Sequence, residues 1–266
     1  MNDIKKITKE LSIQRPNNSD NLKHVQMLIA NYMTLMNLHV EFQYFKKKIN
    51  SKTFFFTNLI GINPNSKGKY ILLGAHTDSI YLKGCESAID AATSIAIILK
   101  LTEQILLKNP LANLILFFPD GEEYLGGKRT RNNTLSGSTY FVNNFNLNLI
   151  SSVYIFDLIG GSFDNKIILP VNNLNKFDDF YKLYLLNKKY PKQIFVNPNI
   201  VSSIIRKTDQ IPFLKKNVDS LAIIPNVLGI THHTINDSFD NVNWEYVSIF
   251  YKIMLEFLEN KLSCLK

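Results

Sequence analysis

The stretch Leu114 to Gly127, LILFFPDGEEYLGG, closes an apolar run with three carboxylates, Asp120, Glu122 and Glu123, within four residues. Adjacent acids at such a point can divide two tasks, one holding a cation while its neighbour carries a proton. Alone, an Asp-Gly-Glu-Glu turn is more often just a solvated turn, so partners elsewhere decide its meaning. The chain offers His76 and Asp78 in GAHTDS, Asp90 in SAIDAA, Asp157 in FDLIGG, and His232 and His233 after a later apolar run. Histidine, aspartate and glutamate are ligands that zinc accepts, and three of them leave a coordination position open for water or substrate. The two cysteines, Cys85 and Cys264, belong to no CxxC pair. Neither a disulfide framework nor a thiolate zinc site is expected, and any metal rests on His and carboxylate.

These residues need elements that bring them together. Leu114 to Phe118 is a continuous apolar run, as expected of a strand covered on both faces, and Pro119 and Gly121 stop it. YILLGAHTDS, SSVYIFDLIGG and VDSLAIIP repeat the pattern, each followed by polar residues. From Ser19, Leu22, Val25, Leu28, Ile29, Tyr32, Leu35 and Met36 recur at helical spacing, with Ser19 or Asp20 as cap. SAIDAATSIAIILKLTEQILL predicts a long helix with Asp90 near its start, and SGSTYFVNNF a short one. The last helix buries Val247, Phe250, Tyr251, Met254, Leu255 and Leu258, with Asn243 as N-cap. Val40, Phe42 and Tyr44 alternate ahead of TFFFTNLIGI, predicting two strands joined by a loop at KKKINSK. Strands alternating with helices predict an α/β three-layer sandwich around a mixed, mainly parallel sheet, with residues 1–266 forming one catalytic domain. In such a sheet the carboxyl ends of the strands share an edge, where the polar residues should converge.

Composition excludes several classes. Hydrophobic residues make up 45% of the chain, enough for a substantial core, so disorder is not expected. The net charge of +8 comes from scattered clusters such as FKKKINSK and GGKRTR, without interleaved aromatics, and no nucleic-acid partner is expected. No apolar run is long enough for a membrane span, and the start MNDIKKITKE is charged where a secretory leader would be apolar.

In this order, GAHTDS, SAIDAA, FPDGEE, FDLIGG and HHTINDSFDN resemble the zinc aminopeptidase superfamily, the M28-like peptidases. DLIG at Asp157, IPFL at Ile211 and HTINDSFDNVN from His233 further resemble its animal-type glutaminyl-peptide cyclotransferases, the glutaminyl cyclases. The resemblance runs from about Arg15 to the final helix and weakens between Gly161 and Arg206. It implies a zinc-aminopeptidase-like fold and one zinc ion held by Asp90, Glu123 and His233. It implies Glu122 as general acid/base, with Asp157 and Asp209 as further acids of the catalytic site. The implied reaction cyclises the N-terminal glutamine, or glutamate, of peptides and proteins to pyroglutamate, by a monomeric enzyme of the secretory pathway. Two departures stand out. The family places a tryptophan shortly after its Glu pair and another before its zinc histidine, where this chain has the Lys128 to Arg131 loop and His232. Its single tryptophan, Trp244, lies outside both motifs. Two other readings remain. In a two-zinc aminopeptidase, His76, Asp90, Glu123, Asp157 and His233 supply the ligands and Asp90 bridges two ions; alternatively, an inactive peptidase-like domain only binds.

Overall fold

Apolar residues that alternate faces along each short strand force helices onto both sides of the sheet. The computed structural model describes residues 1–125, 133–202, 207–226 and 232–264. Its six strands are β1 (His39–Ile49), β2 (Lys52–Ile62), β3 (Tyr70–Gly74), β4 (Leu114–Phe118), β5 (Ile150–Phe156) and β6 (Ser220–Ile223), in the order β1-β2-β4-β3-β5-β6. β4, β3, β5 and β6 run parallel, while the β1–β2 hairpin joins antiparallel beside β4. The expected mixed, mainly parallel sheet is thus present.

Ile71, Leu73, Leu114, Leu116 and Phe118 face one side of the sheet. There they pack with residues of α1 (Asn2–Leu11), α2 (Asp20–Leu35), α3 (Thr93–Lys108), α5 (Phe177–Asn187) and α7 (Trp244–Ser263). Leu72, Ile115, Phe117, Val153 and Ile155 face the other side, against Phe141 and Val142 of α4 (Ser136–Asn144) and Phe213 of α6 (Gln210–Lys215). The caps are as expected: the Leu22 amide donates to the Ser19 hydroxyl at 3.1 Å, and the Tyr246 amide to Asn243 Oδ1 at 3.0 Å.

Two local expectations are corrected. KKKINSK is not a loop: β1 continues to Ile49, and Asn50 and Ser51, at φ 48° and 66°, form a two-residue hairpin turn whose left-handed backbone matches the strand twist. The helix containing Asp90 begins later than expected. Ala88–Ala92 is an irregular turn in which Asp90 has φ −113° and ψ 82°, and α3 starts at Thr93. The charged N-terminus forms a further helix, because Ile4, Ile7 and Leu11 recur on one face and bury it.

Candidate active site

Because β3 to β6 are parallel, the segments leaving their carboxyl ends share one edge, and each ends in chemistry-bearing residues. The segment after β4 is set by Gly121. Its φ of +77° suits glycine, and a Cβ there would lie 2.6 Å from the Phe56 ring. Asp78, from the segment after β3, then fixes the two glutamates. Its Oδ1 accepts from the Glu122 amide at 3.1 Å and its Oδ2 from the Glu123 amide at 3.0 Å.

The two predicted carboxylates meet through His233. His233 Nε2 lies 2.9 Å from Glu123 Oε1 and 3.6 Å from Asp90 Oδ2. Glu123 Oε2 is buried and accepts no hydrogen bond among the described residues. Burial, reinforced by Asp90, raises the Glu123 carboxyl above the usual range against the pull of His233. A buried oxygen without a donor, beside a second carboxylate and an imidazole, fits a divalent cation, and this nitrogen and oxygen donor set suits zinc.

Behind this trio lies a second group. His76 Nε2 bonds Asp90 Oδ1 at 2.8 Å and lies 3.6 Å from Asp157 Oδ1, while its Nδ1 is 3.0 Å from the Asp78 carbonyl. Burial disfavours the imidazolium, but bonds to Asp157, Asp78 and Asp90 hold the ring's pKa well above its ordinary value. Asp90 thus turns one oxygen to each group; burial opposes its ionisation, yet His76 draws its carboxyl below the usual range. The Thr208 hydroxyl donates to Asp157 Oδ2 at 3.4 Å. Asp209 follows, fully buried, with neither oxygen hydrogen-bonded among the described residues. Burial, with Asp78 and Asp157 nearby, pushes its carboxyl up to about 7 against the Ser138 hydroxyl and His76. Asp90, Glu123, His233, Asp157 and Asp209 therefore share one neighbourhood. Glu122 is buried next to the ligand glutamate.

Sequence reasoning missed three contributors. Arg15 is fully buried and, among the described residues, its side chain donates to backbone carbonyls, including Thr77 at 2.7 Å, Ser87 at 3.2 Å and Asp90 at 3.4 Å, tying the segments that carry His76 and Asp90 to the N-terminal chain. Asp237 accepts from the Ile89 amide at 2.6 Å, so the NDSFDN run caps the turn holding Asp90. Tyr124, directly after the glutamates, stands with its ring centroid 6.0 Å from that of His233 and supplies an aromatic neighbour. Trp244 packs on Phe239 at the start of α7. The basic run Lys128 to Arg131 lies outside the described residues.

The profile of peptidase family M28 matches residues 58–258, spanning β2 to α7 and the whole edge just described. The chain belongs to this family. Among curated relatives, the glutaminyl-peptide cyclotransferase of Drosophila melanogaster is 27% identical over 223 residues, covering 74% of this chain and 62% of that protein. The cyclotransferase of Boiga dendrophila is 27% identical over 243 residues, covering 76% and 65%. The chain thus spans less than two thirds of the length of the curated relatives it matches. The glutaminyl cyclase structure of Macrostomum lignano superposes with a TM-score of 0.88 at 22% identity, covering 100% of this chain and 90% of that one. That of an Acidobacteriales bacterium gives 0.82 at 20%, covering 97% and 92%. A zinc-dependent exopeptidase of Parabacteroides distasonis gives 0.84 at 18%, covering 97% of each. The M28 fold is therefore shared, but it does not single out the animal-type branch, since a bacterial cyclase and an exopeptidase superpose comparably. Both cysteines are free, and no helix among the described residues is long and apolar enough to cross a membrane.

Proposed function

We propose that this M28 chain is a zinc-dependent glutaminyl-peptide cyclotransferase that converts N-terminal glutamine of peptides and proteins to pyroglutamate with release of ammonia. The observation that carries the reading is the Glu122–Glu123 pair, held at both amides by Asp78 with Glu123 against His233 and His233 facing Asp90. Asp90, Glu123 and His233 hold one zinc ion. When bound, zinc supplies Lewis-acid polarisation of the substrate's γ-carbonyl. The reaction joins the α-amine of the glutamine to its own side-chain carbonyl carbon, so it is intramolecular and requires orientation and proton transfer. Glu122 takes a proton from the attacking amine and returns it to the departing ammonia. Asp209 and Asp157, a buried pair of acids behind the site, complete its proton network, and Tyr124 borders the substrate side chain beside His233. The enzyme acts as one catalytic domain, as a monomer, within the secretory pathway.

A second reading has its own support. His76, Asp90 and Asp157 present ligand atoms within 4.8 Å of one another, and with Asp90 bridging they suit the second ion of an exopeptidase. Bound zinc and products separate the two. Incubated with Gln-initiated and Ala-initiated peptides, a cyclotransferase releases ammonia from the first alone and carries one zinc per chain. Release of the first amino acid by a chain carrying two zinc ions overturns the proposal.

A further inference from the structure

Consecutive side chains on an extended backbone point to opposite sides. His232 and His233 do not. His233 has φ +58°, a left-handed conformation uncommon for a non-glycine residue. It brings both rings to the same side, with centroids 3.7 Å apart and planes 28° from parallel, a stack that must open for both to reach one ion, because two imidazoles on a tetrahedral zinc have centroids about 5 Å apart. Both rings aim the same nitrogen at the same oxygen: His232 Nε2 lies 3.7 Å from Asp90 Oδ2, and His233 Nε2 lies 3.6 Å from it. These separations are too long for hydrogen bonds. They are close to the edge of a zinc tetrahedron, about 3.3–3.6 Å for ligands 2.0–2.2 Å from the ion. Such strain persists where surroundings impose it, and it clusters at binding sites.

We propose that His232 is a further, exchangeable ligand of the metal held by Asp90, Glu123 and His233, an inference that rests on the single-ion reading above. The two histidines are not equivalent. The His233 side chain is 18% exposed and touches Glu123, whereas that of His232 is 39% exposed and can swing toward solvent. With His232 bound, the ion has four protein ligands, a closed shell suited to the resting protein. With His232 swung away, a position opens for the substrate carbonyl. At the position where the cyclotransferase resemblance expects a tryptophan, this chain carries a ligand instead.

Zinc affinity by chelator competition, with X-ray absorption of the zinc-loaded full chain to count bound imidazoles, tests the proposal. The wild-type chain should show two imidazoles. His232→Phe, which keeps a ring in the stack, should show one and bind zinc at least ~10-fold more weakly, since even residues that only support ligands contribute 10–100-fold. Equal melting of the two metal-free chains establishes that the variant is folded. One imidazole in the wild type, or equal affinity in the two chains, overturns the inference and leaves the three-ligand site standing. A wild-type chain that holds no zinc overturns the underlying reading and the inference with it.

Discussion

Two buried clusters of ionisable groups flank the sheet, and they follow opposite rules. Around Asp179 of α5 every charge is answered. Lys261 donates to both its oxygens at 2.8 Å, Tyr154 donates at 2.7 Å, and the buried Lys176 reaches it at 3.2 Å and Asp219 at 2.8 Å. Burial alone would raise the Asp179 carboxyl, but Lys261 and Tyr154 hold it below the ordinary value. At the carboxyl edge of β3 to β6, Asp78, Asp90, Glu122, Glu123, Asp157 and Asp209 are buried, and among the described residues acceptor oxygens of Glu123 and Asp209 find no donor. The first cluster is finished by the chain itself. The second is left open by the described residues, and unmet demand of that kind in an otherwise well-packed protein is what a cation-binding or catalytic site would show.

The contrast can be broken most forcefully at Glu122. Glu122→Gln removes a proton carrier while leaving Asp90, Glu123 and His233 in place. Turnover of a Gln-initiated peptide should fall ~10²- to 10⁴-fold with zinc content and melting temperature unchanged. A near-normal rate would move the proton role to Asp209 or Asp157. The opposite pattern is expected at Lys176→Met, which takes one cation from the satisfied cluster and leaves buried acid behind. Stability by urea denaturation should drop by about 3 kcal/mol, with the rate per folded molecule preserved. Loss of activity without loss of stability there would erase the distinction.

A subtler test uses pH on the metal-free chain. Asp209 has a folded value of about 7 against 3.8 for the ordinary side chain, so between these values the folded chain holds a proton that the unfolded chain has released. Its contribution is therefore full below about 4 and is lost as pH rises through about 7. Asp179, held low, behaves the other way: its contribution is present above the ordinary value and is lost as pH falls through its depressed one. Asp209→Asn should flatten the decline in urea-melt stability from pH 5 to 8 and leave the acid limb intact. An unchanged alkaline decline would show that Asp209 is not held protonated.

The four buried strands and the capped helices were legible because each rests on local pattern, an apolar run or an N-cap beside an amphipathic stretch, whereas Asp90, Glu123 and His233 were singled out through the family resemblance of the motifs that carry them. Arg15 was not, because its partners are backbone carbonyls as far along the chain as Ser87 and Asp90, which no side-chain spacing encodes. Asp237 was hidden for a similar reason, since it serves a turn 148 positions away. The irregular backbone at Asp90 was hidden by good helix formers on both sides. α1, by contrast, was readable: Ile4, Ile7 and Leu11 carry the spacing, and the lysines between them drew attention away.

Asp78 grips the amides of Glu122 and Glu123 through its own two oxygens. The turn after β4 is thus held by the segment that leaves β3, and the direction in which the two glutamates emerge is inherited from the pairing of those strands. An insertion or deletion in either strand would shift that pairing and misdirect the glutamates without replacing them.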